Sequence, residues 1–218
     1  AIARALSDVD DLISALDKLV EKKRAIKQAM MQQLLTGRTR LPGFGGEWRT
    51  CAIGHIATPV TERNTSGDDL PVLSCSKHVG FLESREYFKN QVYSDDLSGY
   101  RVIRYGEIGY PSNHVEEGSV GLQDRYPAAL VSPIYVVFKT MSSVDSRFLF
   151  KLLKLDAFRQ KFAVATNASV DRRGSLKWPA FSEIEIDLPP LPEQRAIATV
   201  LSDMDAEIAA LERRREKT

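Results

Sequence analysis

AIARALSDVDDLISALD at residues 1–17 and AIATVLSDMDAEIAALE at residues 196–212 are two copies of one segment, 195 positions apart. They share Ala1/Ala196, Ile2/Ile197, Leu6/Leu201, Ser7/Ser202, Asp8/Asp203, Asp10/Asp205, Ile13/Ile208 and Leu16/Leu211. A repeat of this length is a structural unit rather than low complexity. Only the second copy has a preface, DLPPLPEQR at Asp187–Arg195. The chain thus opens inside a helix, closes inside a like helix, and holds everything else between them.

Working outward from the first copy, Ile2, Leu6, Val9, Ile13, Leu16 and Val20 step by four and three, the spacing of a coiled-coil seam. Lys23 and Lys27 interrupt the seam, and Met30 and Leu34 resume it. No proline or glycine occurs before Gly37, so the run predicts one helix over 2–35, roughly 50 Å long, ended by Thr36-Gly37. Leu12, Leu19 and Ile26 form a second stripe, seven apart. Two stripes suit two helical partners; a wide face on an ordinary core is the plainer reading. The second copy carries a matching seam in Leu201, Met204, Ile208 and Leu211. The expectation is that Leu6, Val9, Ile13, Leu16 and Val20 pair with it, either antiparallel within one coil or between two chains.

Between the helices the texture changes. Pro42–Gly46 is a linker. Trp48–Val60 alternates in part and ends at Pro59, and Leu70–Cys75, Tyr100–Arg104 and Leu130–Lys139 read as strands, VSPIYVVFK (Val131–Lys139) most clearly. Asp145–Ala163 reads as one amphipathic helix, Asn167–Gly174 as a polar loop, and Phe181–Leu188 as a further alternating stretch. Pro192-Glu193 marks a helix start. The fold class expected is α+β: one globular mixed α/β domain over 41–190, flanked by long coiled-coil-forming helices over 1–40 and 191–218.

Composition bounds the function. The chain has 218 residues, 43% hydrophobic and 27% charged, with net charge +1. That is ordinary for a globular protein, and no apolar run reaches membrane-spanning length. Two cysteines in a chain this long fit free thiols in a reducing compartment; the expected location is cytoplasmic. Charge is uneven: residues 18–40 hold seven bases against one acid, and residues 146–178 hold eight against two. Such a surplus suits phosphate as well as a solvated helix face.

No catalytic constellation stands out. Tyr105-Gly106-Glu107-Ile108-Gly109 lacks the third glycine of a dinucleotide loop. Leu188-Pro189-Pro190-Leu191 lacks the polar lead residue of an amino-methyltransferase tetrapeptide. No nucleophile elbow occurs, and no acidic cluster with a nearby lysine marks a nuclease. Cys51, His55, Cys75 and His78 have the letters of a zinc site but not the knuckle turns, so no metal is expected. What remains is chemistry suited to DNA, where Arg, Lys, Asn, His and Ser read base edges or hold phosphates. Four stretches offer it: Lys77 and His78; Arg85, Lys89 and Asn90; Tyr110, Ser112, Asn113 and His114 in a proline-stiffened turn; and Asn167, Ser169, Arg172, Arg173 and Lys177. Each alone is a plain surface loop.

IDLPPLPEQRAIATVLSDMDAEIAALE at Ile186–Glu212, its echo at Ala1–Asp17, KQAMMQQLLTGRTRLPGF at Lys27–Phe44, and a GYPSN turn before VSPIYVVFK together resemble the specificity subunit of Type I restriction-modification systems. The resemblance implies a non-catalytic subunit whose target-recognition domain reads one half of a bipartite DNA sequence while the helices set the gap. It implies methyltransferase and restriction (motor-nuclease) subunits as partners. The subunit then needs no cofactor of its own, S-adenosylmethionine belonging to the methyltransferase. A full subunit of that family has two recognition domains; one is present here, as in a half subunit or fragment, and a homodimer through the helices would restore two. The competing expectation is a coiled-coil scaffold or regulator of the same system that does not bind DNA. On the first reading, changes at Arg172, Arg173 or Lys177 weaken binding to every sequence, and changes at Asn113, His114 or Lys77 alter which sequence is preferred.

Overall fold

The computed structural model describes residues 2–168 and 174–218; the side chains of Ile2, Ala3, Ala5, Leu6 and Ala168 are not described. Ser169, Arg172 and Arg173, expected to contact DNA, lie outside the described residues. The chain divides into two compact units, residues 1–45 with 195–218, and residues 46–194.

The first unit is built on two helices, α1 (Ile2–Leu34) and α6 (Leu191–Glu216), the latter from Arg195 onward. Among the described residues, ion pairs join them: Asp17–Arg215 at 2.9 Å, Lys23–Glu207 at 2.7 Å, Arg24–Glu212 at 2.5 Å, and Lys27–Asp205. From Asp17 to Lys27 on α1 the partners run back from Arg215 to Asp205, so the two helices run antiparallel within the one chain. Lys23 and Lys27, which interrupt the apolar seam, each meet an acid of the second helix. Leu16, Val20, Leu34, Ile197, Leu201 and Ile208 are buried. Ile13, Met204 and Leu211 are half-buried, and Val9 is exposed. Leu12, Leu19 and Ile26 remain exposed at 40%, 38% and 40%. Gly37, at φ 69°, closes the helix in the left-handed region that glycine adopts at little cost.

Among the described residues, the second unit holds ten strands in four antiparallel groups. β1 (Arg49–Ala52) pairs with β10 (Glu185–Leu188). β2 (Ala57–Val60), β9 (Tyr135–Thr140), β6 (Ile108–Pro111) and β7 (Gly121–Leu122) form the largest sheet in that order. β3 (Leu73–Ser76) and β4 (Gly80–Glu83) make a hairpin, and β5 (Arg101–Arg104) pairs with β8 (Ala128–Val131). A short helix, α2 (Ser84–Phe88), follows β4. One core cluster gathers Leu73, Phe81, Ile103, Ala129, Val131, Tyr135 and Val137. Another is aromatic: Tyr110, Phe138, Phe162 and Phe181, ring centroids 4.6–5.7 Å apart around Phe181.

Three elements differ from the sequence expectation. The run Leu130–Lys139 is two strands, not one. Pro133 has no N–H to donate to a ladder, and Tyr135 N bonds back to Ser132 O at 3.0 Å. The chain turns there, leaving β5 for the β2–β6 sheet. Asp145–Ala163 is likewise two helices, α3 (Ser146–Leu153) and α4 (Asp156–Ala168). Leu152, Leu153 and Leu155 are all buried, and on a straight helix the last two would point to nearly opposite sides; the break reconciles them. Phe181–Leu188 divides into α5 (Trp178–Ser182), opened by Pro179 in its first turn, and β10, whose alternate residues are buried. Among the described residues, no helix is long and apolar enough to cross a membrane.

Candidate nucleic-acid interface

Lys77 and His78 are exposed at the tip of the β3–β4 hairpin, where Gly80 takes φ 90°. The tip is held from below. Lys154, at the α3–α4 break, donates from Nζ to Lys77 O at 2.6 Å and to Gly118 O at 2.8 Å. Burial lowers the Lys154 pKa, so its charge is kept there at some desolvation cost and is answered by two carbonyls. Cys75, under the same hairpin, is buried and its thiol is pushed up to about 12 by loss of solvent. It is a packing residue and an inert thiol. Cys51 and Cys75 are both free thiols. With His55 and His78 they form no metal-ligating group among the described residues.

Arg85, Lys89 and Asn90 are exposed around α2. Lys89 stops that helix in a left-handed conformation, φ 58°. Arg85 lies over the Tyr93 ring, 5.9 Å from its centroid. Asn167 is exposed in the last turn of α4.

Tyr110 is a correction. It was expected on a surface turn, but it belongs to β6, is wholly buried, and lies 4.6 Å from the Phe181 ring. From there it reaches no base edge. Ser112 is buried as well, while Asn113 is half-buried and His114 exposed. His114 Nδ1 sits 3.1 Å from Glu117 Oε1. Glu116 completes a group whose ligand atoms lie within 4.8 Å of one another, and the His114–Glu117 hydrogen bond accounts for two of the three.

Three of the sequence-predicted residues meet in one place. Ser112, Asn113 and Lys177 line a hollow of about 620 Å³ whose walls also include Arg101, Ile134 and Trp178. Leu176 N donates to Ser112 O at 2.8 Å, which ties the segment before α5 to the turn after β6. Pro133, at the β8–β9 turn, accepts Arg101 Nε at 3.3 Å. Cations and amides therefore face a partly apolar floor. That is a surface able to hold a polyanion and to probe the edges of its bases. Lys77, His78, Arg85, Lys89 and Asn90 are not among the residues of this hollow. Arg101 and Trp178 were missed by the sequence reading. In a strand written RVIR nothing distinguishes an arginine that faces a hollow from one that faces solvent. A tryptophan before a proline is as easily core.

The chain thus combines a mixed α/β unit with a unit of two antiparallel helices. Residues 114–218 match the family model of the Type I restriction modification DNA specificity domain. The chain is similar to the Type I restriction enzyme MjaVIII specificity subunit of Methanocaldococcus jannaschii, 24% identical, covering 94% of this chain and 52% of that protein. Two crystal structures share the fold. One is a Type-I restriction-modification system S subunit from M. genitalium, with TM-score 0.63, 14% identity, and coverage of 100% of this chain and 56% of that one. The other is an HsdS subunit from Thermoanaerobacter tengcongensis, with TM-score 0.53, 18% identity, and coverage of 98% and 52%. The chain thus spans about half the length of the relatives it matches.

Proposed function

We propose that this chain is a sequence-specific DNA recognition component of a Type I restriction-modification complex, reading one half of a bipartite target with the 46–194 unit. The observation that carries the reading is the hollow where Ser112, Asn113, Lys177 and Arg101 meet, in a chain whose residues 114–218 match the Type I DNA specificity domain model. The chain works without chemistry of its own. It docks methyltransferase and restriction subunits, and S-adenosylmethionine is bound by the methyltransferase, so the recognition chain needs no cofactor. Its place is the cytoplasm, with the DNA it reads.

Two copies joined through their helices would present two like recognition units and read a palindromic, interrupted target. The exposed Leu12, Leu19 and Ile26 stripe supports that homodimer, because α6 covers the Leu16 and Val20 side of α1 and leaves this one open to solvent. Near-neutral net charge implies modest DNA affinity for the chain alone, with the methyltransferase supplying further grip.

The test is duplex binding titrated with salt. A phosphate-contacting reader loses affinity with a slope of roughly 0.9 per phosphate contact on logarithmic axes. Absence of binding to any duplex at any salt would leave only a scaffold and sink the reading. Methylome sequencing of cells carrying the chain with its methyltransferase would then give the target and show whether it is symmetric.

A further inference from the structure

Arg63 and Arg101 face each other across an isolated antiparallel bridge. The flanking bonds are Asn64 N to Tyr100 O at 2.9 Å and Val102 N to Glu62 O at 3.1 Å. The two arginines are therefore a non-hydrogen-bonded pair, the closer of the two antiparallel pairings, with Cα atoms roughly 4.5 Å apart and side chains on one face. Like charges in that position repel and destabilise the pairing. Among the described residues neither guanidinium forms an ion pair. The contrast on the same strand is Arg104, which Glu62 engages through both oxygens, at 3.2 and 2.6 Å.

Each of the two is also fastened. Arg63 Nη1 donates to Gly99 O at 2.9 Å, and Arg101 Nε donates to Pro133 O at 3.3 Å. A guanidinium has about five N–H donors; one bond to a carbonyl fixes its plane and leaves the rest to a ligand. Arg101, partly buried on the wall of the hollow, loses solvent as well, and burial followed by the Arg63 charge lowers its pKa. Two fixed cations held side by side, one of them partly desolvated, are the arrangement that an anion relieves. Planar donor forks suit the oxygens of a phosphodiester.

We propose that Arg63 and Arg101 form a phosphate clamp at the edge of the hollow, gripping one backbone phosphodiester of the DNA whose bases the hollow faces. The clamp rests on the DNA-recognition reading and names residues that carry it. It positions the duplex and contributes to every sequence equally.

The experiment is fluorescence anisotropy of the full chain with target and scrambled duplexes across a salt series. Arg63→Gln/Arg101→Gln should make the logarithmic salt slope shallower by about 0.9, one phosphate contact, and weaken both duplexes by the same factor. Its melting temperature at low salt should be unchanged or raised, because the repulsion is gone. Arg104→Gln should leave the slope as it is. A wild-type slope in the folded double variant, or a loss confined to the target duplex, overturns the clamp. Should the double variant melt early, Arg63→Gln alone, at an exposed position, must still give the shallower slope; a wild-type slope there overturns it too. Inorganic phosphate at constant ionic strength should not displace the duplex; displacement that Arg101→Gln abolishes would mark a site for a free anion instead. If the unaltered chain binds no duplex at all, the DNA reading itself fails. That result is distinct from a clamp that fails while binding persists.

Discussion

The Tyr110 hydroxyl is buried and has no hydrogen-bond partner among the described residues, and burial raises its pKa well above the ordinary value of a phenol. A buried hydroxyl without a partner costs roughly 1–3 kcal/mol. Tyr110→Phe keeps the ring against Phe181 and Phe138 and removes that cost. The expected result is a melting temperature equal to or above the parent, with DNA sequence preference in a random-site selection untouched; a clear loss of stability would reveal a bond to the hydroxyl. Asn113 lies only three residues on and faces the hollow. What separates the two is where β6 ends, and the letters YPSNH do not say. Gly121 is the opposite case, where a missing side chain matters. A Cβ there would lie 2.6 Å from Phe81 Cδ2, inside the core. Gly121→Ala should cost about 1–3 kcal/mol by overpacking, read as a lower denaturation midpoint with the same slope.

At the scale of elements, α3 depends on the residue that caps its start. Asp145 accepts Arg147 N at 2.9 Å and Phe148 N at 3.2 Å, and Arg147 Nη2 meets its other oxygen at 2.9 Å. Burial alone would raise the Asp145 pKa; these bonds outweigh it and hold the carboxyl below its ordinary 3.8. A carboxylate lowered in this way stabilises the fold above the unfolded value and loses that contribution as pH falls through the folded one. Asp145→Ala should cost about 1–2 kcal/mol at neutral pH, and the gap to the parent should close once pH is taken below the folded value. A gap that persisted in acid would assign the loss to packing. Local signals of this kind were legible: the helix start at Asp145, the glycine stop at Gly37, the two stripes on α1. The break between α3 and α4 was not, because it answers a demand of the core, that Leu153 and Leu155 both be buried. Lys23 and Lys27 read as flaws in a seam until Glu207 and Asp205 were found opposite. Reversing both lysines to Glu would set four acids together and should lower the melting temperature at low salt, less so at high salt. Glu207→Lys/Asp205→Lys should restore it, as only an antiparallel pairing in this register requires. Each exposed pair is worth ~0.2–1 kcal/mol, so the double reversal is needed to see it.

For the whole molecule, the repeat at residues 1–17 and 196–212 announced a helical unit and a unit between, whereas the hollow could not be read from letters. Its walls come from separate stretches around residues 60, 101, 112, 134 and 177, and only the sheet register brings them together. The open question at this scale is what covers the second stripe. Leu12, Leu19 and Ile26 expose about two fifths of their surface each, on a helix whose other apolar side is already taken. Hydrophobic side chains seven apart on one face suit a further helix, and covering the exposed two fifths of each is worth a part of the roughly 1.5–3 kcal/mol that full burial of such a side chain brings. A second copy of the chain brings the same stripe, which a two-fold axis makes self-complementary. Leu12→Glu/Leu19→Glu places charges on that stripe and leaves Leu16 and Val20 against α6. The parent chain should sediment as a dimer at tens of micromolar and the variant as a monomer. The variant should keep its affinity for a single half-site while losing the gain in affinity that two correctly spaced half-sites give. A parent chain that stays monomeric at that concentration would rule the dimer out. A variant that stays dimeric would move the interface elsewhere on the molecule.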